Sequence, residues 1–396
     1  MDSRVVSFFG DLAYSSERLG MEVEVGGLAH CNLEAPIFSE AALDKLESWK
    51  VGPHLRQNGL LFSDEQFRKF SFSLANNHMM DFGDFGLTST LNFLVDHKKA
   101  GAGLNLSDAR LPIIFPLGTR TLGIISCADI FFGYATSSRA GIASISPVDD
   151  WVGSLVEKLR EDDVIPIISF HGGLEDWMIP SRVIRSLFHT WIDKGAELII
   201  GHHSHIPMPT ETYKGKKIYF GLGNFIVEPS RWEAYHPMAL TSIQVDLTEG
   251  EDGIDVSHKF IKLSRSREFN DLRVAYLPAE QSELLDKHSD KVAALISDEE
   301  SYSEVLELIS EHYVKKFSRK QLILGSSGLY LRTFLKTLYS KNSKYGGRLR
   351  QGFGPHHQDI FGPLATAELM SIFDQEKNAK FSKSRMKSLN KTWNLF

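Results

Sequence analysis

Among its 396 residues the chain has only two cysteines, Cys31 and Cys127, far apart and without a Cys-x-x-Cys pair. That scarcity excludes a disulfide framework and a zinc knuckle, and makes a reducing, cytoplasmic setting the expectation. No apolar run approaches the roughly 20 residues needed to cross a bilayer, and Met1-Asp2-Ser3-Arg4 does not have the layout of a signal peptide. There is no Gly-x-Ser-x-Gly elbow and no Walker-type phosphate loop, so neither serine-nucleophile nor P-loop chemistry is expected. A formal net charge of -6 is too mild to imply a partner, and nucleic acid is not expected. Internal repeats and low-complexity tracts are also missing.

What is present is a soluble-protein composition, 42% hydrophobic and 24% charged. Short apolar runs alternate with amphipathic ones. Val5 to Phe9, Gly27 to Cys31, Phe70 to Leu74, Leu122 to Ser126, Val164 to Phe170 and Ala196 to Ile200 read as strands. Lys217 to Gly221, Ala239 to Leu247 and Ile254 to Leu263 read as later ones. Gly86 to His97 and Ser181 to Asp193 have helical spacing, the second with Val183, Ile184, Leu187, Phe188 and Trp191 on one side. Strands alternating with helices predict a layered α/β sandwich. After about Arg265 the chain turns helical, over Glu280 to Ile296, Glu304 to Lys316, Lys320 to Tyr339 and Leu364 to Gln375. The expected organisation is an α/β domain over 1–265 and a mainly helical region over 266–396, the latter ending in a polar, basic tail. From Lys315 to Arg350 ten lysines and arginines occur without one Asp or Glu. They read either as a solvated helical face or as a contact for phosphate or a polyanion.

The polar residues that carry chemistry stand just after strands: Asp11, Glu34, Asn77-His78, His171, and Gly201-His202-His203-Ser204-His205. Strand ends converge on one edge of a sheet, so clusters distant in sequence can form one site. Taken singly, Asp11 fits a turn, Asn77 a cap and His171 a buried histidine. Three histidines within four positions are harder to explain structurally, and neutral imidazole is the commonest metal ligand. A set of carboxylates, imidazoles and an amide oxygen suits two divalent ions of intermediate hardness, such as Mn, Fe, Zn or Ni. Alternation along the chain points His202 away from His203 and His205.

This order of motifs resembles the calcineurin-like metallophosphoesterases, and more closely their capsule-synthesis, or poly-γ-glutamate biosynthesis (CapA-type), branch. The resemblance rests on Gly10-Asp11, Asn32-Leu33-Glu34-Ala35-Pro36, Leu74-Ala75-Asn76-Asn77-His78 with Asp81-Phe82-Gly83, and Gly101-Ala102-Gly103-Leu104-Asn105. It continues through His171-Gly172-Gly173-Leu174-Glu175, Gly201-His202-His203-Ser204-His205 and Gly221-Leu222-Gly223-Asn224-Phe225, covering about two-thirds of the chain. It implies a metallophosphoesterase-type sandwich holding two divalent ions. Asp11 and His205 would serve the first ion, Asn77, His171 and His203 the second, and Glu34 would bridge them. His78 would act on the leaving-group oxygen, while Asn76, Glu175, His202 and Asn224 would face substrate or support the ligands.

The chain departs from that pattern in places. Ala13 stands where the superfamily usually has a histidine, Glu34 replaces a bridging Asp, Gly172 stands where Trp is usual, and Ser204 where Pro is usual. Substrate therefore does not transfer with the resemblance. The expected function is a dinuclear metal-dependent phosphoesterase using a metal-bound hydroxide. The alternatives are an enzyme or accessory factor in γ-glutamyl polymer synthesis or amide processing, and a non-catalytic module that binds a phosphorylated ligand. The expected partner is a small molecule or polymer bearing phosphate or γ-glutamyl groups.

Overall fold

The computed structural model describes residues 4–13, 19–39, 54–59, 68–129, 131, 133–146, 149–228, 238–251, 253–265 and 271–306. In chain order its elements are β1 (Val5–Leu12), β2 (Leu19–Met21), β3 (Leu28–Leu33), β4 (Phe70–Ser73), α1 (Gly83–Phe93), β5 (Lys99–Ala100), β6 (Ala102–Gly103), α2 (Leu106–Ala109), β7 (Ile113–Leu117) and β8 (Arg120–Ala128). They continue as β9 (Gly141–Ile142), α3 (Trp151–Glu161), β10 (Val164–His171), α4 (Arg182–Asp193), β11 (Leu198–His202) and β12 (Thr210–Tyr213). The last are β13 (Lys216–Tyr219), β14 (Asn224–Ile226), β15 (Thr241–Glu249), β16 (Ile254–Arg265), β17 (Leu272–Tyr276) and α5 (Ala279–Ser297).

Two mixed sheets carry the fold. One has nine strands in the order β2-β17-β16-β15-β1-β3-β4-β5, with β14 also paired to β1, and the other six, in the order β12-β13-β11-β10-β8-β7. Their centres are parallel: β1 beside β3 and β3 beside β4 in the first, β8, β10, β11 and β13 in the second. The apolar residues sort by strand alternation. Val6 and Phe8 of β1, Ile165 and Ile167 of β10, and Leu198 and Ile200 of β11 meet between the sheets. The intervening Ile168, Phe170 and Ile199 face outward and pack against α3, α4 and α5. On the far side, Phe9, Cys31, Phe72 and Leu87 form a third cluster under α1. The result is the layered α/β sandwich that the alternation of elements predicts.

The helices are set by caps and apolar stripes. The Ser181 hydroxyl accepts the Ile184 backbone N–H at 3.2 Å and starts α4. Ile184, Phe188, Trp191 and Ile192 then fall on its buried face. Truncating a side chain as buried as Phe188 to Ala costs about 3–5 kcal/mol in such cores. The Asp150 carboxylate caps α3 in the same way, at 3.0 Å from Gly153 N.

The described fold continues past residue 265. Strand β17 pairs with β16, and Val292, Leu295 and Ile296 of α5 join the core over the second sheet. A domain boundary near Arg265 would thus fall between neighbouring strands of one sheet. The helices expected over Lys320 to Tyr339 and Leu364 to Gln375, the basic stretch and the tail lie outside the described residues, as does most of Glu304 to Lys316. Both cysteines are buried and unbridged. No described helix is long and apolar enough to cross a membrane.

Towards the C-terminal ends of the parallel strands the space between the sheets turns polar. The same alternation puts His30 and Asn32 of β3, Ser71 and Ser73 of β4, Ser169 and His171 of β10, and His202 of β11 on the inner faces. Of these, Ser71, His30, Ser169 and His202 form one hydrogen-bonded chain. Ser71 Oγ donates to the Ala29 carbonyl at 3.0 Å and so accepts from His30 Nδ1 at 3.0 Å. The neutral His30 ring then accepts from Ser169 Oγ through Nε2 at 3.4 Å, and Ser169 Oγ accepts from His202 Nε2 at 3.2 Å. A carbonyl can only accept, so the whole chain is oriented and His202 must carry a proton on Nε2.

Burial, reinforced by the charge of His202, holds the His30 imidazole down to about 3. In the unfolded chain it titrates near the ordinary ~6.5. The unfolded state therefore gains the proton first. Stability is full above pH ~6.5 and falls as the pH drops towards the folded value, by up to about 1.4 kcal/mol per pH unit from this group. Urea unfolding between pH 6.5 and 4 should show a shallower loss in His30→Gln than in the wild type. An unchanged slope would mean that the ring is not held neutral.

Candidate metal centre

The centre is built around Asp11, which no solvent reaches. Strand β1 slips register against β3 between Phe8 and Asp11, a bulge that turns the carboxylate into the site. The slip needs a glycine before it: a Cβ on Gly10 would overlap the Gly223 carbonyl oxygen of the neighbouring segment. That same oxygen accepts the Asp11 N–H at 3.0 Å. Asp11 Oδ1 accepts from Asn32 Nδ2 at 2.8 Å, Oδ2 accepts from the His203 backbone N–H at 3.2 Å, and His202 Nδ1 stands 3.3 Å from Oδ1. Burial pushes this carboxyl up. The His202 contact and charge, the charge of His205 and the Asn32 amide more than offset it, so Asp11 stays below its ordinary value and ionised.

Around this carboxylate the sequence-distant residues meet. Glu34, 1% exposed, follows β3 and points its Oε1 to within 3.6 Å of His171 Nε2 and 3.9 Å of His205 Nε2. His171 ends β10; its Nε2 lies 2.9 Å from Asn77 Oδ1 and its Nδ1 3.0 Å from Asn32 Nδ2. His203 and His205 follow β11 and both take left-handed backbone, at φ 80° and 58°. Non-glycine residues rarely adopt that region, and strain of this sort collects at functional loops. His205 Nδ1 is 3.0 Å from Asn224 Oδ1, while Asn224 Nδ2 donates to the Ala239 carbonyl at 3.0 Å. The amide is thereby locked with its oxygen towards His205, whose Nε2 is directed at Glu34.

Two overlapping groups of donors result. Glu34, His203 and His205 form one, and Asp11, Glu34 and His171 the other, each with its donor atoms within 4.8 Å of one another. Glu34 belongs to both, as a bridging carboxylate would. The resemblance paired His203 with His171 and His205 with Asp11. Those pairs are also neighbours in the structure: the His171 and His203 rings have centroids 4.7 Å apart, and His205 Nδ1 is 3.7 Å from Asp11 Oδ2.

The donors suit an ion. Donor pairs 3.6 and 3.9 Å apart are too distant to hydrogen-bond. They fit two ligands each about 2.0–2.2 Å from a common centre. Burial, with the charges of the neighbouring histidines, pushes His171 well below its ordinary value, so the imidazole is neutral and can ligate.

Other expected residues surround this core. His78 is 8% exposed, and its Nδ1 lies 2.8 Å from Asp81 Oδ2. Asp81 also accepts the Leu55 N–H at 2.7 Å. Asn76 is a scaffold. Its Nδ2 donates to the Leu33 carbonyl, and its Oδ1 accepts the N–H groups of His78 and Met79. His202 lies on β11 rather than on the loop, paired in register with His171, and touches Asp11 from beneath. Glu175 Oε1 approaches His203 Nε2 to 3.7 Å. Asn224 is extended in β14, and Gly223 just before it takes left-handed backbone at φ 80°.

Three site residues had no role from sequence: Asn32, Asp81 and Asp129. Asn32 shares its strand face with His30, and Asp81 stands three residues after His78, so period and spacing could have found both. Asp129 follows β8 as Asp11 ends β1, is fully buried, and donates its N–H to the His171 carbonyl at 3.0 Å. It also accounts for Gly172, where a Cβ would come within 2.7 Å of the Asp129 Cβ and 2.9 Å of the Phe170 ring. Phe131 closes this side, edge-on to His171 and His203 at centroid distances of 5.9 and 5.3 Å.

Comparison with known proteins agrees with the motifs. The PGA biosynthesis protein CapA of Bacillus subtilis is 30% identical over 159 residues, 39% of this chain and 41% of that protein. A probable polyglutamine synthesis accessory protein of Mycobacterium tuberculosis is 33% identical over 171 residues, 39% of this chain and 44% of that protein. The chain thus matches less than half the length of these relatives. Among solved structures, the Thermus thermophilus sulfate thiohydrolase SoxB aligns over 55% of this chain and 36% of its own at 16% identity, with a TM-score of 0.33, too weak a likeness to carry an argument. The profile described as bacterial capsule synthesis protein PGA_cap matches residues 11–229, from Asp11 to just beyond β14 and through every donor described above. The chain belongs to the bacterial capsule synthesis protein PGA_cap family.

Proposed function

We propose that the chain is a dinuclear metal-dependent hydrolase of phosphoesters, with Asp11, Glu34, Asn77, His171, His203 and His205 as the ligands. The observation that carries this reading is Glu34, a buried carboxylate shared by two groups of donors. Two divalent ions would supply Lewis acidity to a phosphoryl oxygen and would acidify an attacking water. The residues do the rest. Asn32 and the His203 N–H keep Asp11 ionised and in place, and Asn224 fixes the His205 ring. Asp81 accepts a hydrogen bond from His78 Nδ1–H, so Nε2 is the atom left, on the protonated ring, to give a proton to a leaving oxygen or hold its charge. Phe131 keeps one wall of the site dry.

A second reading has the same centre serving γ-glutamyl polymer synthesis, as an enzyme on amides or as an accessory factor. The relatives, a PGA biosynthesis protein and a probable polyglutamine synthesis accessory protein, favour it. Fold and family do not choose between an ester and an amide.

Protein purified without chelator and loaded with Mn²⁺ should retain about two equivalents by elemental analysis, as a two-ion site requires. Glu34→Ala should retain clearly fewer. Failure of the wild type to hold any ion would leave a non-catalytic module. Two retained ions with no turnover of phosphomonoesters or phosphodiesters would transfer the case to γ-glutamyl amides.

His78→Ala separates chemistry from ligation. It should keep the metal content of the wild type and lower turnover by a factor on the order of 10²–10⁴. Loss of an ion in that variant would make His78 a ligand and remove it from the proton-transfer role.

A further inference from the structure

The loop leaving β10 does not run away from the site but folds back across it. Gly173, at φ 98°, and Asp176, at φ 61°, both take left-handed backbone, and between them they reverse the chain. The Asp176 N–H then donates to the Ser204 carbonyl at 3.0 Å, tying this loop to the His203-Ser204-His205 segment. Glu175, between the two turning residues, is thereby aimed at the histidines. Its Oε1 lies 3.7 Å from His203 Nε2 and 4.0 Å from His205 Nε2, with the side chain 20% exposed.

These separations match the ones around Glu34. They are too long for hydrogen bonds and have the spacing of two ligands about 2.0–2.2 Å from one ion. The neighbouring rings point the same way. With Nδ1 of His205 held at Asn224, its Nε2 faces both Glu34 Oε1, at 3.9 Å, and Glu175 Oε1, at 4.0 Å.

We propose that Glu175 is a ligand of the ion held by His203 and His205, completing a set of two imidazoles and two carboxylates with Glu34. The inference rests on the metal-centre reading given above. It also refines that reading: two carboxylate oxygens beside two imidazoles make a harder, more anionic set than imidazoles alone, favouring Mn²⁺ or Fe²⁺ over softer ions.

The experiment compares wild type, Glu175→Gln and Glu175→Ala, each folded as judged by its thermal unfolding, in titrations with Mn²⁺ and in visible spectra after loading with Co²⁺. In the wild type two ions should bind. In Glu175→Ala one of them should weaken by more than the roughly 10–100-fold that loss of an outer supporting group costs, while the other keeps its affinity. The Co²⁺ absorption bands should shift in position and intensity, because a ligand has left the coordination sphere. Glu175→Gln, with its amide oxygen, should fall between. Two ions bound with unchanged affinity and an unchanged Co²⁺ spectrum in both variants would overturn the assignment of Glu175 alone. No ion bound by the wild type would overturn the metal-centre reading itself, and Glu175 with it.

Discussion

The buried carboxylate of Asp11 is the constraint on which the rest of this structure depends. An ionised carboxylate taken out of water without partners would be protonated instead, since isolated charges are too costly in a protein interior. Here the partners come from two distant places in the chain. Asn32 reaches it from the neighbouring strand, the His203 N–H from the other sheet's loop, and His202 from beneath. Asn32 already stands beside Asp11 within the first sheet, but His202 and the His203 N–H can act only when the second sheet is packed against it. The charge of Asp11 and the docking of the sheets are thus one structural event, and the bulge after Phe8 is the local distortion that makes it fit.

The layer below the site serves the same end. The oriented chain from Ala29 through Ser71, His30 and Ser169 to His202 fills the space between the sheets with groups that satisfy one another. Buried polar groups of this kind add rigidity only when every member is paired. The chain begins at a backbone carbonyl, which cannot donate, and this fixes each tautomer up to His202. The imidazole under Asp11 therefore arrives with its orientation already determined, before any ligand is considered.

Much of this was legible in the sequence, because strand ends and strand alternation are strong signals. The apolar runs before Asp11, Asn77, His171 and His203 placed those residues on one edge, and the alternation within β11 separated His202 from His203 and His205. Elements of two or three residues, such as β5, β6, β9 and β14, have no period to read: β5 and β14 form on the edges of longer strands, and β6 and β9 only against each other. Helix α3 was readable but unread. Its Asp150 cap and the apolar spacing of Trp151, Val152, Leu155, Val156 and Leu159 are ordinary helix signals, interrupted only by Gly153. Asp129 was hidden for another reason: its importance lies in what it forbids at Gly172, a contact across two strands that local pattern does not contain.

The departures from the family pattern are physically connected. Gly172 is small because Asp129 and Phe170 occupy the space beside it, so the loop after His171 begins without a bulky side chain. Gly173 and Asp176 then turn that loop inward, and Ser204, whose hydroxyl donates to the Ile206 carbonyl at 2.7 Å, offers its own carbonyl to hold it there. A large residue at 172 would have to push either the loop or Asp129 away. The same loop carries Glu175 to 3.7 Å from His203 and 4.0 Å from His205. The wall of the site nearest His203 and His205 is thus acidic and partly open, which governs what can approach the centre from that side.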